Sequence, residues 1–477
     1  MKIAVAVIKK LYRWQYIWLC LIVLATLVLH FVIIANPDSL ILDEQHYIKE
    51  ARNIFQNHSF IFLEHPPLSK LIIAAGDYIF SGFKSPVKDI GTTQQAITDN
   101  TSTVIYVSDA SLFKVGKTIE IDGEQMNVQS IDTALNQITI ERGVYGTTAT
   151  SHAAQQTIYV FNDNPWGWRV FPILFGTGFI VLFYFICLRL NMSNRAASIA
   201  TFLLAFENMT FVQNSVAMLD VFYVFFMFLA FFLYLSRKYI SAGISVGLSA
   251  LGKLLGFMAL PAMVIHWFFS KANRSRWFAL TVVLSVIAFV VLLPTLEYFV
   301  THNFINPVDR LKTMINLSDS LKFSNTTHPS LERPWEWVFW YKPMPYWWSP
   351  NYISAISPSI FVLIIPAFAY MIYRAVKRDE AGLFGSAWFF STWVLWIPLS
   401  LITNRVSYPF YFYPSIGAVC LGVGMGISQL IDIFKARPSG KLKWTILGII
   451  IFILVAHIVS FMLLYPLFPI NWYQFTS

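Results

Sequence analysis

Runs of about twenty apolar residues recur along this chain, and they constrain its fold more than any other feature. A run of that length crosses the hydrocarbon core of a bilayer as a helix. Only 12% of the 477 residues are charged and 56% are hydrophobic, so ordinary globular packing could not bury the apolar surface. The sequence therefore predicts a polytopic α-helical membrane protein.

Nine apolar runs predict single spans, and one longer segment predicts a hairpin of two. The nine runs lie near 15–35, 168–188, 196–212, 216–235, 277–300, 353–373, 382–402, 406–430 and 444–466. The longer segment, between Lys238 and Lys271, has basic residues at both ends. Both ends are therefore predicted to be cytoplasmic, with a turn near Gly252 and Lys253. We expect about eleven spans, a cytoplasmic N-terminus and an external C-terminus.

The distribution of charge agrees with this topology. Of the 34 Lys and Arg residues, 18 fall at the ends and loops predicted to be cytoplasmic, together with three of the 25 acidic residues. The net charge of +9 thus reflects orientation in a membrane and does not indicate nucleic-acid binding. The three cysteines fall inside predicted spans, and no His or Cys spacing is typical of a metal site.

Three regions follow from this pattern. Residues 1–85 contain the first span and the start of an outer loop, and residues 163–477 contain the other ten spans with a second outer loop at 301–352. Between them, the polar segment 86–162 predicts a small all-β module. Its alternating runs are 103–107, 117–121, 124–131, 137–142 and 156–161. Asp122-Gly123 between two runs is a strong hairpin signal. The module could handle an acceptor or partner, or act as a spacer or stabilising cap.

Two adjacent carboxylates, Asp43 and Glu44, follow the first span. At the outer membrane surface such a pair could supply a general base. Alternatively, Asp43 caps a helix over 44–56 and both acids favour the positive end of its dipole.

Further polar residues occur at membrane depth or in the second loop. Ionisable residues there are costly and are candidates for function, although snorkelling could explain any single one. They are Arg169, Glu207, Asn208, Asp220, Lys253 and Arg405. The aromatic stretch containing Trp335 and Trp337 predicts either an interfacial belt or a platform for sugar or lipid.

Several short motifs, taken in order, resemble the protein O-mannosyltransferase (dolichyl-phosphate-mannose-protein mannosyltransferase) family of GT-C membrane glycosyltransferases. They are Asp43-Glu44, the segment His65-Pro-Pro-Leu-Ser-Lys70, Trp168-Arg169, Glu207-Asn208-Met209, Ala217-Met-Leu-Asp220, Gly247-Leu248 before Lys253, Pro334-Trp-Glu-Trp337, and Arg405 before the aromatic run 408–413. The chain departs from the family pattern at Asn214-Ser215, at Leu254 and in the position of its β module. These departures favour a prokaryotic-type member.

The resemblance implies a metal-independent, inverting transfer of mannose or a similar hexose from a polyprenyl-phosphate (dolichyl-phosphate) donor to Ser/Thr hydroxyls of proteins. The reaction would occur on the extracytoplasmic face of the cell membrane, or in the endoplasmic reticulum of a eukaryote. Partners would be membrane lipid, the lipid-linked donor and a protein acceptor, with no separate cofactor.

The reaction needs a base for the acceptor and cations for the leaving phosphate. We assign Asp43 as the base and Glu44 to the support of acceptor or sugar binding, with Arg169, Lys253 and Arg405 holding the donor phosphate. Supporting or substrate-binding candidates are His65, Lys70, Glu207, Asn208, Asp220, Trp335 and Trp337. The alternatives are a lipid or glycan acceptor within the same reaction class, and a secondary transporter of another class.

Overall fold

In the computed structural model, the protein is described over residues 16–80, 88–144, 147–160, 164–348 and 350–467. Four basic residues used in the orientation argument, at positions 2, 9, 10 and 13, lie outside these ranges, as do the two ends of the predicted β module.

Helices dominate the fold. In chain order they are α1 (Ile17–Ile33), α2 (Glu44–Asn57), α3 (Leu68–Phe80), α4 (Pro165–Arg189), α5 (Asn194–Ala205), α6 (Asn208–Ser215), α7 (Leu219–Leu235), α8 (Tyr239–Gly252), α9 (Ala259–Phe269), α10 (Phe278–Thr301), α11 (Pro307–Asp319), α12 (Glu336–Phe339), α13 (Pro358–Phe361), α14 (Ile364–Val376), α15 (Glu380–Phe389), α16 (Trp396–Thr403), α17 (Tyr413–Ala436) and α18 (Lys441–Leu464).

Several of these helices are long and apolar enough to span a membrane. Among the described residues, five segments have the length and the apolar composition that a membrane span needs: Pro165–Arg189, Phe278–Thr301, Glu380–Thr403, Pro409–Ala436 and Lys441–Leu464. A sixth segment meets these criteria if α6 and α7, which are bent by 112° relative to each other, form one span. Four further apolar helices are shorter. The protein is thus a multi-pass membrane protein, and the count of eleven stays a prediction.

The predicted span at 196–212 is interrupted, because α5 ends at Ala205 and α6 begins after Glu207. The Glu207 carboxylate accepts the backbone N–H of Thr210 at 2.7 Å and thereby caps α6. It also accepts the backbone N–H of Ser357 at 2.8 Å, which fixes the break against a distant part of the chain. The single helix predicted for this segment is therefore wrong in its boundaries.

The segment between Lys238 and Lys271 does turn back on itself. Helix α8 ends at Gly252, Lys253 is extended, and a short 3₁₀ turn (Leu254–Met258) leads into α9. The guanidinium of Arg237, before α8, donates to the carbonyl of Ala272, after α9, at 2.8 Å. The two ends therefore meet at one side of the helices, as the charges at both ends predicted.

A six-stranded antiparallel sheet occupies much of 88–160. Its strands are β1 (Lys88–Thr92), β2 (Val104–Tyr106), β3 (Thr118–Ile121), β4 (Glu124–Asp132), β5 (Gln137–Glu141) and β6 (Thr157–Val160), in the spatial order β1-β6-β3-β4-β5-β2. Asp122 and Gly123 join β3 to β4 with φ of 49° and 85°, which fits a tight hairpin turn with both central residues left-handed. Which side of the membrane holds the sheet stays a prediction.

A second, two-stranded sheet lies beside the start of α6. Strands β7 (Met344–Trp347) and β8 (Tyr352–Ser354) pair antiparallel. The Asn208 side chain donates to the carbonyls of Ile353 at 2.6 Å and Ala355 at 3.2 Å. The predicted span at 353–373 therefore begins as strand, and its helical part starts only at Pro358.

Candidate active site

A cavity of about 350 Å³ lies where the first loop, the start of α7, the break after α8 and the segment 405–411 meet. Side chains that can carry charge are concentrated there: Asp43, His46, Glu64, His65, Asp220, Lys253, His328 and Arg405 line it. Of the twelve residues assigned from the sequence, the cavity thus brings together Asp43, His65, Asp220, Lys253 and Arg405.

Asp43 lies directly before α2, at the wall of this cavity. Its side chain makes no capping hydrogen bond to the helix. Within the described part of the chain its carboxylate takes part in no hydrogen bond or ion pair, so it is available to a substrate. Burial raises the pKa of Asp43, while the charges of His46 and Lys253 act in the opposite direction.

Lys253 reaches the cavity because α8 ends one residue earlier. Its Nζ lies 3.0 Å from both carboxylate oxygens of Asp220, at the first turn of α7. The same Nζ lies 4.9 Å from the ring centroid of Tyr411. At Gly252 a Cβ would come within 2.8 Å of the Ser69 hydroxyl and 3.1 Å of Tyr223 Cβ, so this close packing requires a glycine. The ion pair with Asp220 fixes the positive charge of Lys253 at the cavity, and the Asp220 carboxylate largely balances that charge.

Arg405 is the second cation of the cavity. It follows α16, and its backbone forms an isolated antiparallel bridge with Lys322. Its Nε is buried and has no hydrogen-bond partner in the described ranges. An unsatisfied buried donor on a charged group is costly, so an anion beside it would be stabilising.

The segment carrying Glu64 and His65 is held from outside the cavity by Arg310 of α11. Its guanidinium donates to the carbonyls of Leu63 at 2.6 Å and His65 at 3.3 Å, and it pairs with Glu297 at 2.6 Å. Burial lowers the pKa of His65 well below its usual value, and the charges of Lys253 and Lys70 add to the effect. His65 is therefore a neutral imidazole at physiological pH.

Glu44 and Arg169 lie away from the cavity and bind each other. The Glu44 carboxylate also accepts the backbone N–H groups of Ile41 and Ala217, both at 2.9 Å. The Arg169 guanidinium donates to the carbonyls of Ile34, Pro37 and Ser39. Both side chains are fully buried. Neither side chain lines the cavity, and the charged groups of both are bound within the protein.

Lys70 is also placed elsewhere. Its Nζ pairs with Glu50 of α2 at 2.6 Å and donates to the carbonyl of Phe62 at 2.8 Å, with both charged side chains buried. Lys70 thus fixes α3 against α2 and the loop between them.

Glu207 and Asn208 connect the break between α5 and α6 to the segment 353–357, and both are completely buried. Trp335 precedes α12 and is half-buried outside the cavity. Trp337 is buried, with ring centroids 6.0 Å from Trp396 and 6.3 Å from Tyr411. Because Tyr411 lines the cavity, Trp337 supports its wall from behind.

Sequence reasoning missed several lining residues, among them His46, Glu64, His328, Tyr408 and Tyr411. Tyr408 and Tyr411 belong to the aromatic run 408–413, and Glu64 directly precedes the motif His65–Lys70, so local pattern marks these segments without showing which side chain faces the cavity. His46 and His328 lie outside the motifs described above. Within the ranges that the structure describes, no group of three or more His, Cys, Asp and Glu side chains is arranged to hold a metal ion.

Comparisons with known proteins agree with the resemblance drawn from the motifs. The sequence model of the dolichyl-phosphate-mannose-protein mannosyltransferase family matches residues 142–306. No curated protein sequence matches the chain.

Among solved structures, the Saccharomyces cerevisiae protein O-mannosyltransferase Pmt1-Pmt2 complex bound to the sugar donor is similar with a TM-score of 0.65 and 10% identity, covering 95% of this chain and 90% of that one. The Archaeoglobus fulgidus oligosaccharyltransferase in the apo form has a TM-score of 0.52 and 12% identity, covering 95% and 56%. Cupriavidus metallidurans ArnT bound to undecaprenyl phosphate has a TM-score of 0.50 and 14% identity, covering 94% and 71%.

This chain spans 44% to 56% of the length of the archaeal oligosaccharyltransferase chains it matches. At these identities the likeness establishes the GT-C fold.

Proposed function

We propose that this protein is an inverting glycosyltransferase that moves mannose, or a similar hexose, from a polyprenyl phosphate to Ser or Thr hydroxyls of proteins. The observation that carries the proposal is the carboxylate of Asp43, not bonded within the described chain, in the same cavity as Lys253 and Arg405. A base and a cationic site for a leaving phosphate are the two groups this reaction needs.

The proposed step is a single displacement. The acceptor hydroxyl oxygen attacks the anomeric carbon while Asp43 takes the hydroxyl proton. The bond between the anomeric carbon and the phosphate oxygen breaks, its electron pair stays on the phosphate, and the configuration at the anomeric carbon inverts. The departing polyprenyl phosphate needs no proton from a strong acid, because cations stabilise its charge.

The roles of the two cations differ. Arg405 is proposed as the main phosphate contact, because its Nε has no hydrogen-bond partner in the described chain. Lys253 already binds Asp220 through both carboxylate oxygens, so it contributes as a positioned and partly neutralised charge. Arg169, assigned to the phosphate from the sequence, is not part of this proposal, because its donors are bound within the protein.

We place the reaction on the extracytoplasmic face, because the basic residues concentrate in loops at the opposite helix ends. Protein acceptors are favoured by the match to the protein mannosyltransferase family, and a lipid or glycan acceptor is the alternative within the same class. No observation in the described residues favours a secondary transporter. An enzyme of this kind is expected to place Asp43, Arg169, Glu207 and Lys253 in one outward cavity. Asp43 and Lys253 share a cavity, whereas Arg169 and Glu207 lie outside it.

The proposal is tested with purified full-length protein, polyprenyl-phosphate mannose carrying a radiolabel, and a Ser/Thr peptide. Label should appear on the peptide with inverted configuration, and it should not with Asp43→Asn. A parallel reaction offers extracted membrane lipid as acceptor. Label found only on lipid would select the alternative acceptor, and no transfer to either by folded protein would contradict the proposed function.

A further inference from the structure

A second cavity, of about 680 Å³, lies at the other end of α7 and α8 from the candidate active site. It forms where α7 ends, α8 begins and the loop after α9 enters α10. The 17 residues of α7 separate it from Asp220 by roughly 25 Å. It therefore has no part in the proposed sugar transfer.

Three cations line this cavity: Arg237, Lys238 and Arg274. No acidic residue is among its described lining residues, and none of the three forms an ion pair within the described ranges. The contacts that do occur are with uncharged groups. Arg237 donates to the carbonyl of Ala272 at 2.8 Å, and the Arg274 guanidinium lies 5.8 Å from the Phe268 ring centroid. The cavity thus carries three positive charges without a matching negative one.

The remaining wall is apolar and open. Ile240, at the start of α8, is 56% exposed, and Trp277, beside the start of α10, is 57% exposed. Leu280 continues this wall along α10. Further along the same helix, Val282 and Val283 are also exposed, so the apolar wall continues onto a helix face that the sequence predicts to lie in the bilayer.

We propose that this cavity binds an anionic glycerophospholipid. Its phosphate would contact Arg237, Lys238 and Arg274, and an acyl chain would lie along Ile240, Trp277 and Leu280. Basic pockets between transmembrane helices are suited to anionic lipid headgroups. The preference for basic residues in cytoplasmic loops explains the sign of these charges, but it does not require three of them to line one cavity with an apolar wall. That wall favours a lipid over free phosphate.

The test uses the full chain in detergent, with bound lipid counted by native mass spectrometry and stability followed by thermal unfolding. Phosphatidylglycerol is compared with phosphatidylcholine of identical acyl chains, and with water-soluble glycerol phosphate. Wild-type protein should retain phosphatidylglycerol preferentially and unfold at a higher temperature with it. Glycerol phosphate should stabilise it far less.

The variant R237Q/K238Q/R274Q should lose this preference, by about fivefold for each charge removed. The control R437Q/K441Q/K443Q removes three basic residues outside the cavity, of which Arg437 and Lys441 are exposed and Lys443 is half-buried, and it should keep the preference. Lys238→Gln provides a milder test, because the Lys238 side chain makes no hydrogen bond or ion pair in the described chain and its loss should not impair folding.

Three results would overturn the proposal: an unchanged preference in Lys238→Gln and in the triple variant, an equal loss in the control, or equal stabilisation by glycerol phosphate. None of these measurements depends on sugar transfer, so the proposal can fail while the proposed function stands.

Discussion

Glu44 and Arg169 are 125 residues apart in the sequence, yet their side chains form a buried two-point ion pair, with Nε 3.0 Å from Oε1 and Nη2 2.8 Å from Oε2. This pair joins the start of α2 to the N-terminal part of α4. Asp43 immediately precedes Glu44, so the pair fixes the backbone that presents the proposed base to the cavity.

We expect Glu44→Gln to destabilise the protein by about 3–5 kcal/mol, because it leaves the Arg169 charge buried and uncompensated. Thermal unfolding in detergent measures this loss, and Lys49→Gln, which removes a longer and partly exposed ion pair to Glu141, should change stability little. Normal stability combined with weak donor binding in Arg169→Gln would instead return Arg169 to the phosphate-binding role assigned from the sequence.

Asp43→Asn should lower turnover by roughly 10²–10⁴-fold, the usual contribution of a general base. Because the carboxylate makes no capping hydrogen bond and is held partly out of water, its removal should leave the unfolding temperature unchanged or slightly raised. Asp38→Asn, in the same loop but outside the cavity, serves as the matched control. Near-normal turnover, or a loss of stability that parallels the loss of activity, would remove Asp43 from the role of base.

The pH dependence of transfer should show the raised pKa of Asp43. A general base must be deprotonated, and burial shifts its protonation to higher pH, so kcat/KM should fall on acidification at a pH above the usual carboxylate value of about 4. Lys253→Met should move this acid limb further up, because the positive charge that lowers the pKa of Asp43 is lost while Asp220, which raises it, remains. If the acid limb of the kcat/KM profile lies at the same pH in Lys253→Met as in the wild type, a group other than Asp43 titrates there.

Arg405→Gln should weaken use of the lipid-linked donor by about ten- to a hundredfold in kcat/KM, the effect of losing a hydrogen bond to a charged group. A higher donor concentration should offset this loss, and the acceptor KM should stay nearly unchanged. Lys322→Gln removes a neighbouring exposed charge and should behave as wild type. If Arg405→Gln changed only the acceptor KM, Arg405 would not be the phosphate contact.

Deletion of 86–162 with a short Gly/Ser bridge should leave transfer to a small peptide measurable. The first and last strands lie side by side, with Lys88 opposite Val160, so a short bridge can close the gap. Contacts between the module and the first loop, such as Arg52 Nη1 to Thr118 Oγ1 at 3.4 Å, would be lost, so stability should fall moderately. Transfer to a large protein acceptor could fall further than transfer to the peptide. Complete loss of transfer by folded protein would show that the module helps to form the active site.

The sequence by itself determined the elements that depend on local pattern. Apolar runs placed α1, α4, α10 and α18 to within a few residues, because the length needed to cross a bilayer is set by the helix rise. Alternating runs placed β2 to β6, since side chains on a strand alternate between two faces. The basic residues at Lys238 and Lys271 predicted that the chain turns back between them.

Only the tertiary structure decided which polar side chains share a cavity. From sequence, Asp43, Arg169, Glu207 and Lys253 are all candidates for the active site, because each is an ionisable residue near a span. Their roles depend on partners 33 to 150 residues away: Arg169 binds Glu44, Glu207 binds the backbone at Ser357, and Lys253 binds Asp220. An ionisable side chain is free for substrate only where packing gives it no internal partner, and long-range packing cannot be derived from local sequence pattern.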